Sequence, residues 1–310
     1  MIWLTWRQLR GAYLGLAVLL ALLAAAVVGT GVEMRGFEGG LACLSINAAR
    51  SCGGQGDFLR AFGTLFNLSG WLNVIPLSLG LFVGAPLVAR ELERGTHRLA
   101  WTQSVTRWRW IAVKITGIVV LAAAVGGAMT LLLSWWRQPW DIINSSFDAS
   151  GFDFEGLMPL AYSLFAVSLG VLAGTLLRRT IPAMIVTLAG FLAVRLPIEF
   201  LARPHFATPV TLLDTSNAAP PGAWILDQGL VDRFGHQVFE AQAFQLCGRE
   251  LLQGPKLAGP CLAQYGIHAS VVFQPADRFW PFQFIEAGFY AAISLVCIGI
   301  AVVWIRRRLS

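Results

Sequence analysis

The chain has 310 residues, of which 56% are hydrophobic and only 13% charged. A soluble domain carries roughly 25% charged residues, so an ordinary water-soluble enzyme is excluded. The formal charge of +6 is scattered through short segments between long apolar runs, which leaves no basic patch for a nucleic acid.

The first ten residues, MIWLTWRQLR, place Ile2, Trp3, Trp6 and Leu9 on one side of a short helix with Arg7 and Arg10 able to reach lipid headgroups. They predict an interfacial helix over 1–10, with a plain start to the first span as the alternative. The uncharged run between Arg10 and Glu33 predicts a span over about 11–32, roughly 33 Å of helix against a hydrocarbon core of about 30 Å. A cleaved signal peptide has an apolar core of only about 7 to 15 residues, so this segment is read as a retained span. Further spans are expected at about 71–88, 111–135, 157–177, 181–202 and 282–305. The expected fold is an all-α polytopic membrane protein with six transmembrane helices.

Orientation follows from the basic residues. Placing both termini in the cytoplasm puts Arg90, Arg94, Arg98, Arg107, Arg109, Lys114, Arg178, Arg179 and the Arg306–Arg308 run inside, and most of the acids outside. Arginine far outnumbers lysine, which occurs only as Lys114 and Lys256, a codon bias that suggests a GC-rich bacterial genome and hence a bacterial plasma membrane. GxxxG spacings at Gly11 and Gly15, Gly80 and Gly84, and Gly170 and Gly174 allow close contact between helices.

Two segments are large enough to matter outside, 33–70 and 203–281. The second holds turn signals from Asn217 to Gly222 and a possible hairpin around Asp232–Gly235, and is read as a small ordered extracytoplasmic subdomain. Such small domains commonly rely on disulfides. Cys43 and Cys52 fall in the first segment, Cys247 and Cys261 in the second, and Cys297 in the sixth span. Four cysteines permit three pairings. Loop closure favours Cys43 with Cys52 and Cys247 with Cys261, with free or cross-paired thiols as the alternative. His205, His236 and His268 have no CxxC or HxxxH companions, so no metal site is expected.

The fifth span carries Arg195 and Glu199 and the sixth Glu286. A charge at the bilayer centre costs at least about 2.5 kcal/mol and usually faces a partner or a wet cavity. Arg195 is therefore expected to meet Glu199, Glu286 or both, as an ion pair fixing the fifth span against the sixth. A gate, a cargo contact and snorkelling towards the headgroups stand as alternatives.

The largest inner segment, about 89–110, joins the second and third spans and mixes charge with tryptophan. Thr96 and Thr106 are placed to cap helices, with a short amphipathic helix between them. By its residues alone this segment suits docking of a cytosolic partner or anchoring to anionic lipid. The run Glu93, Arg94, Gly95, Thr96, then Leu99, then Ser104, Val105, Thr106, Arg107 and finally Lys114 resembles the loop of ABC exporter permeases of the second exporter class. It departs from that pattern at Trp101 and Gln103, where many members have an apolar residue and proline.

The resemblance extends to an actinobacterial-type permease with six spans, an interfacial first helix and a large segment before the last span. It implies that the inner loop is a coupling helix seated in a groove of a separate ABC ATPase subunit. The coupling residues would be Glu91, Glu93, Arg94, Gly95, Thr96, His97, Arg98 and Arg107. It further implies two ATPase copies and a second permease, either the same chain or a paralogue. ATP and magnesium would belong to the ATPase, because no GxxxxGK[ST] occurs here and GPKLAGP at 254–260 lacks that spacing. This chain would bind no cofactor of its own. The function implied is export of an apolar or amphipathic substrate by a transporter subunit rather than an enzyme. A mechanotransmitting regulator that moves its outer domain without transport stays open, and so does an intramembrane enzyme. The enzyme reading has no Asp pair, GxSxG or HExxH to stand on.

Overall fold

The structure is a computed structural model that describes residues 2–37, 54–95, 107–144, 147–148, 151–214, 220–248 and 255–308. Among the described residues, six helices are long and apolar enough to cross a membrane, in keeping with the hydropathy runs. The first, α1 (Ile2–Gly36), continues without a break through residues 2–10, so the segment expected as an interfacial helix is drawn into the helix of the first span. Leu14, Val18, Leu19 and Leu22 lie exposed along it, as suits a surface solvated by lipid chains.

The second span belongs to a longer rod. It begins with α2 (Gly54–Ser69) and a 3₁₀ turn (Gly70–Asn73), and continues as α3 (Val74–Leu79), a π turn (Gly80–Gly84) and α4 (Ala85–Glu93). The π turn has a local cause. Pro86 has no N–H to complete the regular ladder, and the N–H of Ala85 reaches back five residues to the carbonyl of Gly80. α5 (Arg107–Asn144) returns across the bundle, followed by α6 (Met158–Leu177). Arg178, in the left-handed conformation at φ 55°, turns the chain sharply into α7 (Thr180–Pro197). Pro197 precedes a second π turn (Ile198–Ala202), and a 3₁₀ turn (Arg203–His205) completes the rod.

α6 is the central helix, buried along nearly its whole length. It contacts the α3–α4 rod backbone to backbone: a Cβ built on Gly170 would stand 2.5 Å from the Gly80 carbonyl oxygen, and one on Gly174 would strike that of Ala85. Two of the three GxxxG pairs therefore face each other. Gly15, in the third, has nothing within 4 Å.

The segment after α7 is a subdomain of β1 (Val210–Asp214), β2 (Trp224–Val231), β3 (Gln237–Val238), α8 (Glu240–Cys247), α9 (Pro255–Gln264) and β4 (His268–Gln274). The strands form one antiparallel sheet in the order β1-β4-β2-β3, and β2 and β3 make a hairpin that turns at Asp232–Gly235. The helices pack on it through Ala243, Cys247, Leu262 and Ile267, and the Cys247–Cys261 disulfide closes that small core. Cys43 and Cys52 lie outside the described residues, and Cys297 is a buried free thiol. The sheet is anchored to the bundle by Trp224, which joins Phe147, Phe152 and Phe282, and by Gln274, whose Nε2 donates to the carbonyls of Pro204 and Ala207. The last helix, α10 (Phe279–Arg308), descends from β4 along α6. The bundle thus has a sheet end and an opposite end from which residues 94–107 depart.

Candidate functional site: a loop stem and a buried charge cluster

At the end opposite the sheet, α4 and α5 form the two sides of a stem from which the loop emerges. Glu91 is buried between them. Its Oε1 lies 2.8 Å from Nζ of Lys114, and its Oε2 accepts a hydrogen bond from Nε1 of Trp110 at 3.0 Å. Lys114 also donates to the Leu87 carbonyl at 3.0 Å. Burial of a lysine and a carboxylate this far from water is offset by their pairing and by the further hydrogen bonds each makes. Glu91, expected as a docking residue, therefore points inward and fixes the spacing of the stem. Glu93 is exposed, and its Oε2 accepts from both the backbone N–H (3.1 Å) and the Oγ1 hydroxyl (2.8 Å) of Thr180 at the start of α7. Arg94 is exposed, and Gly95 turns the chain out of the helix at φ 68°. Arg107 opens α5. Thr96, His97 and Arg98 lie outside the described residues.

The second site is at the sheet end. A tight loop, 151–157, is held against α10 by Gln283: its Oε1 accepts from the Leu157 N–H and its Nε2 donates to the Phe152 carbonyl, each at 2.9 Å. The staple presents Asp153 to the bundle. Asp153 receives Arg195 on Oδ2 at 2.5 Å and Arg203 on Oδ1 at 2.7 Å, and the hydroxyl of Tyr162 lies 2.7 Å from the same Oδ1. Arg203 also spans both oxygens of Glu286, with Nε to Oε2 at 2.8 Å and Nη2 to Oε1 at 2.9 Å. The Tyr162 hydroxyl is 3.0 Å from Glu286 and 3.0 Å from Nη2 of Arg203. The cluster therefore ties together the 151–157 loop, α6, α7 and α10. Burial alone would raise the Asp153 carboxyl, but Arg203, Arg195 and the tyrosine hydroxyl outweigh it and hold the group below its ordinary value.

This arrangement keeps one of the expected pairings, Arg195 with Glu199, and reassigns Glu286. Arg195 does reach Glu199, at 3.4 Å, but its closer partner is Asp153. Glu286 belongs to Arg203, which extends the helical rod of the fifth span instead of leaving it. A nearby second cluster centres on Arg137, 1% exposed, with Asp141, Asp148 and Glu155 at 3.4–3.7 Å. The sequence signal for Arg203 was its spacing, since Arg195, Glu199 and Arg203 recur every fourth residue on one helical face. Asp153 carried no such signal, because it lies in a loop whose course only the Gln283 staple sets.

The sequence model of the family described as ABC-2 membrane transporter related matches residues 17–203, from within the first span to the last arginine of the cluster. No curated protein and no solved structure matches significantly. That match covers more than half of the 310 residues, and with six apolar helices around two buried charge sites the chain belongs to the ABC-2 membrane transporter related family, as a membrane-spanning transporter component.

Proposed function

We propose that the chain is the permease subunit of an ATP-driven exporter, and that the 94–107 segment docks on a separate ABC ATPase. The observation that carries this reading is the stem. The Glu91–Lys114 pair and the Trp110 hydrogen bond hold the ends of α4 and α5 together where the loop resembling the coupling segment departs. A loop braced at its base passes on a push instead of absorbing it. Two ATPases and two permeases would assemble, with ATP and magnesium bound in the ATPases. Closure of the nucleotide-binding subunits would move the coupling segments and rock the spans to expose a midline cavity for an apolar or amphipathic cargo.

Co-purification tests this reading. Replacing Glu93 and Arg94 together by Ala is expected to weaken recovery of the ATPase or to uncouple its hydrolysis. A double variant with unchanged assembly and coupling would sink the assignment. The orientation, with both termini in the cytoplasm of a bacterial plasma membrane, is tested by cysteine labelling from outside. A probe near the exposed Gln228 should react and those near Gln103 and Ser310 should not.

A mechanotransmitting regulator is the second reading, favoured by the way the sheet is bolted to the bundle. Beyond the Gln274 contacts, Nη1 of Arg278 donates to the Thr208 carbonyl at 2.7 Å, so motion of α7 and α10 would carry the sheet with it. Movement of an amphipathic dye in vesicles separates the two: ATP-dependent efflux favours export, and hydrolysis without efflux favours regulation.

A further inference from the structure

The stem and the charge cluster sit at opposite ends of α7, and α7 is attached to both by polar contacts. At its start, the N-cap position is Arg179, which provides no side-chain cap. The first N–H groups of a helix need an acceptor and favour negative charge, and here Glu93 of α4 supplies both by accepting from the N–H and hydroxyl of Thr180. The adjoining contact is built of short side chains. Ala85 and Ala89 of α4, Ala173 of α6 and Ala183 of α7 are 0–3% exposed and bring three backbones close together. From Thr180 the helix runs unbroken to Pro197, about 27 Å at 1.5 Å per residue. Near and beyond its far end, Arg195 and Arg203 meet Asp153 and Glu286.

We infer that α7 is the rod that carries displacement of the stem to the charge cluster, with Thr180 as the positioning residue that fastens it to Glu93. The inference rests on the reading of the stem as an ATPase dock. It assigns a role to a residue outside the loop and explains why Glu93, an exposed carboxylate at the base of that loop, is turned towards another helix.

Thr180 allows a clean test because it occupies the first helical position, where proline is well tolerated, and Arg179 before it is already extended, as a residue preceding proline should be. Thr180→Pro removes both donors to Glu93 without breaking α7. Thr180→Val removes the hydroxyl alone, and Thr180→Ser restores it. Hydrogen exchange of the 198–206 segment is compared in the full permease–ATPase complex, nucleotide-free and trapped with ATP and vanadate. The wild-type chain is expected to change its exchange there on trapping. Thr180→Pro should reduce that change at least about twofold, Thr180→Val less, and Thr180→Ser should retain it, with ATPase recovery and basal hydrolysis preserved throughout. A wild-type response kept in Thr180→Pro overturns the inference. So does a complex that assembles and hydrolyses ATP with no change at 198–206. Failure of any ABC ATPase to assemble with the wild-type chain overturns the docking reading, and the inference with it.

Discussion

The two ends of the bundle solve the problem of buried charge differently. At the stem, one lysine and one glutamate face each other across neighbouring helices α4 and α5, with Trp110 hydrogen-bonded to the glutamate and large apolar side chains such as Leu87 and Ile111 packed around them. At the sheet end, two arginines, two carboxylates and a tyrosine form a mutual network that joins a loop and three helices, with Glu199 half-buried at its edge. A stem of this kind can shift as a unit with its pair intact. The network cannot part without separating several ions at once, and a buried ion that loses its partner costs about 3–5 kcal/mol. If the stem is the ATPase dock proposed above, the molecule is braced at the end that would receive a push and latched at the end that would have to open.

The largest test of that contrast is Arg203→Ala, which strands Glu286 and leaves Asp153 with Arg195 as its cationic partner. A loss of about 3–5 kcal/mol is expected, read as a marked fall in the thermal midpoint in detergent; an unchanged midpoint would erase the distinction between the ends. Next, Cys247→Ser combined with Cys261→Ser should cost the subdomain about 3 kcal/mol locally, given a sequence separation of 14. Limited proteolysis should open the 240–264 region while the midpoint of the bundle stays in place. If the bundle melts too, the sheet is part of the latch.

Packing of the stem side is tested by comparing glycines. Gly174→Ala drives a methyl into the Ala85 carbonyl and should destabilise by about 1–3 kcal/mol, whereas Gly15→Ala, with open space around it, should fall within about 0.5 kcal/mol of wild type. Equal effects at the two sites would mean that the α4–α6 contact is not tight. The smallest effect concerns the exposed hairpin turn. The N–H groups of His236 and Phe234 donate to the Asp232 carboxylate and hold it below its ordinary value of 3.8. Its contribution is complete above the unfolded value and is lost as pH falls through the lower folded one. Exchange protection at the His236 amide, corrected for intrinsic rate, should drop in that acid range, and Asp232→Asn should flatten the drop.

Much of the fold is legible in the sequence because hydropathy is a local property. Each span declares itself by its own run of apolar residues, and the Asp232–Gly235 turn by its own residues. The sites were only half legible. Arg195 and Glu286 stand out because they interrupt apolar runs, Arg203 is marked only by its spacing from Arg195 and Glu199, and Asp153 hides among the ordinary charges of a connecting segment. Glu91 looks like its neighbours Glu93 and Arg94 in sequence, but two residues, about 200° of helical rotation, separate it from Glu93, so it turns inward to Lys114 while Glu93 faces Thr180.

By itself the sequence determined that the chain is a six-span membrane protein and that the loop after the second span resembles a coupling segment. The tertiary structure alone decided the partners: Arg203 with Glu286, Asp153 with both arginines, Glu91 with Lys114, and Glu93 with the first turn of α7. The physical reason is distance along the chain. A span needs only its own twenty or so residues to be stable in lipid, whereas Arg203 and Glu286 are 83 positions apart and meet only after α6, α7 and α10 have packed.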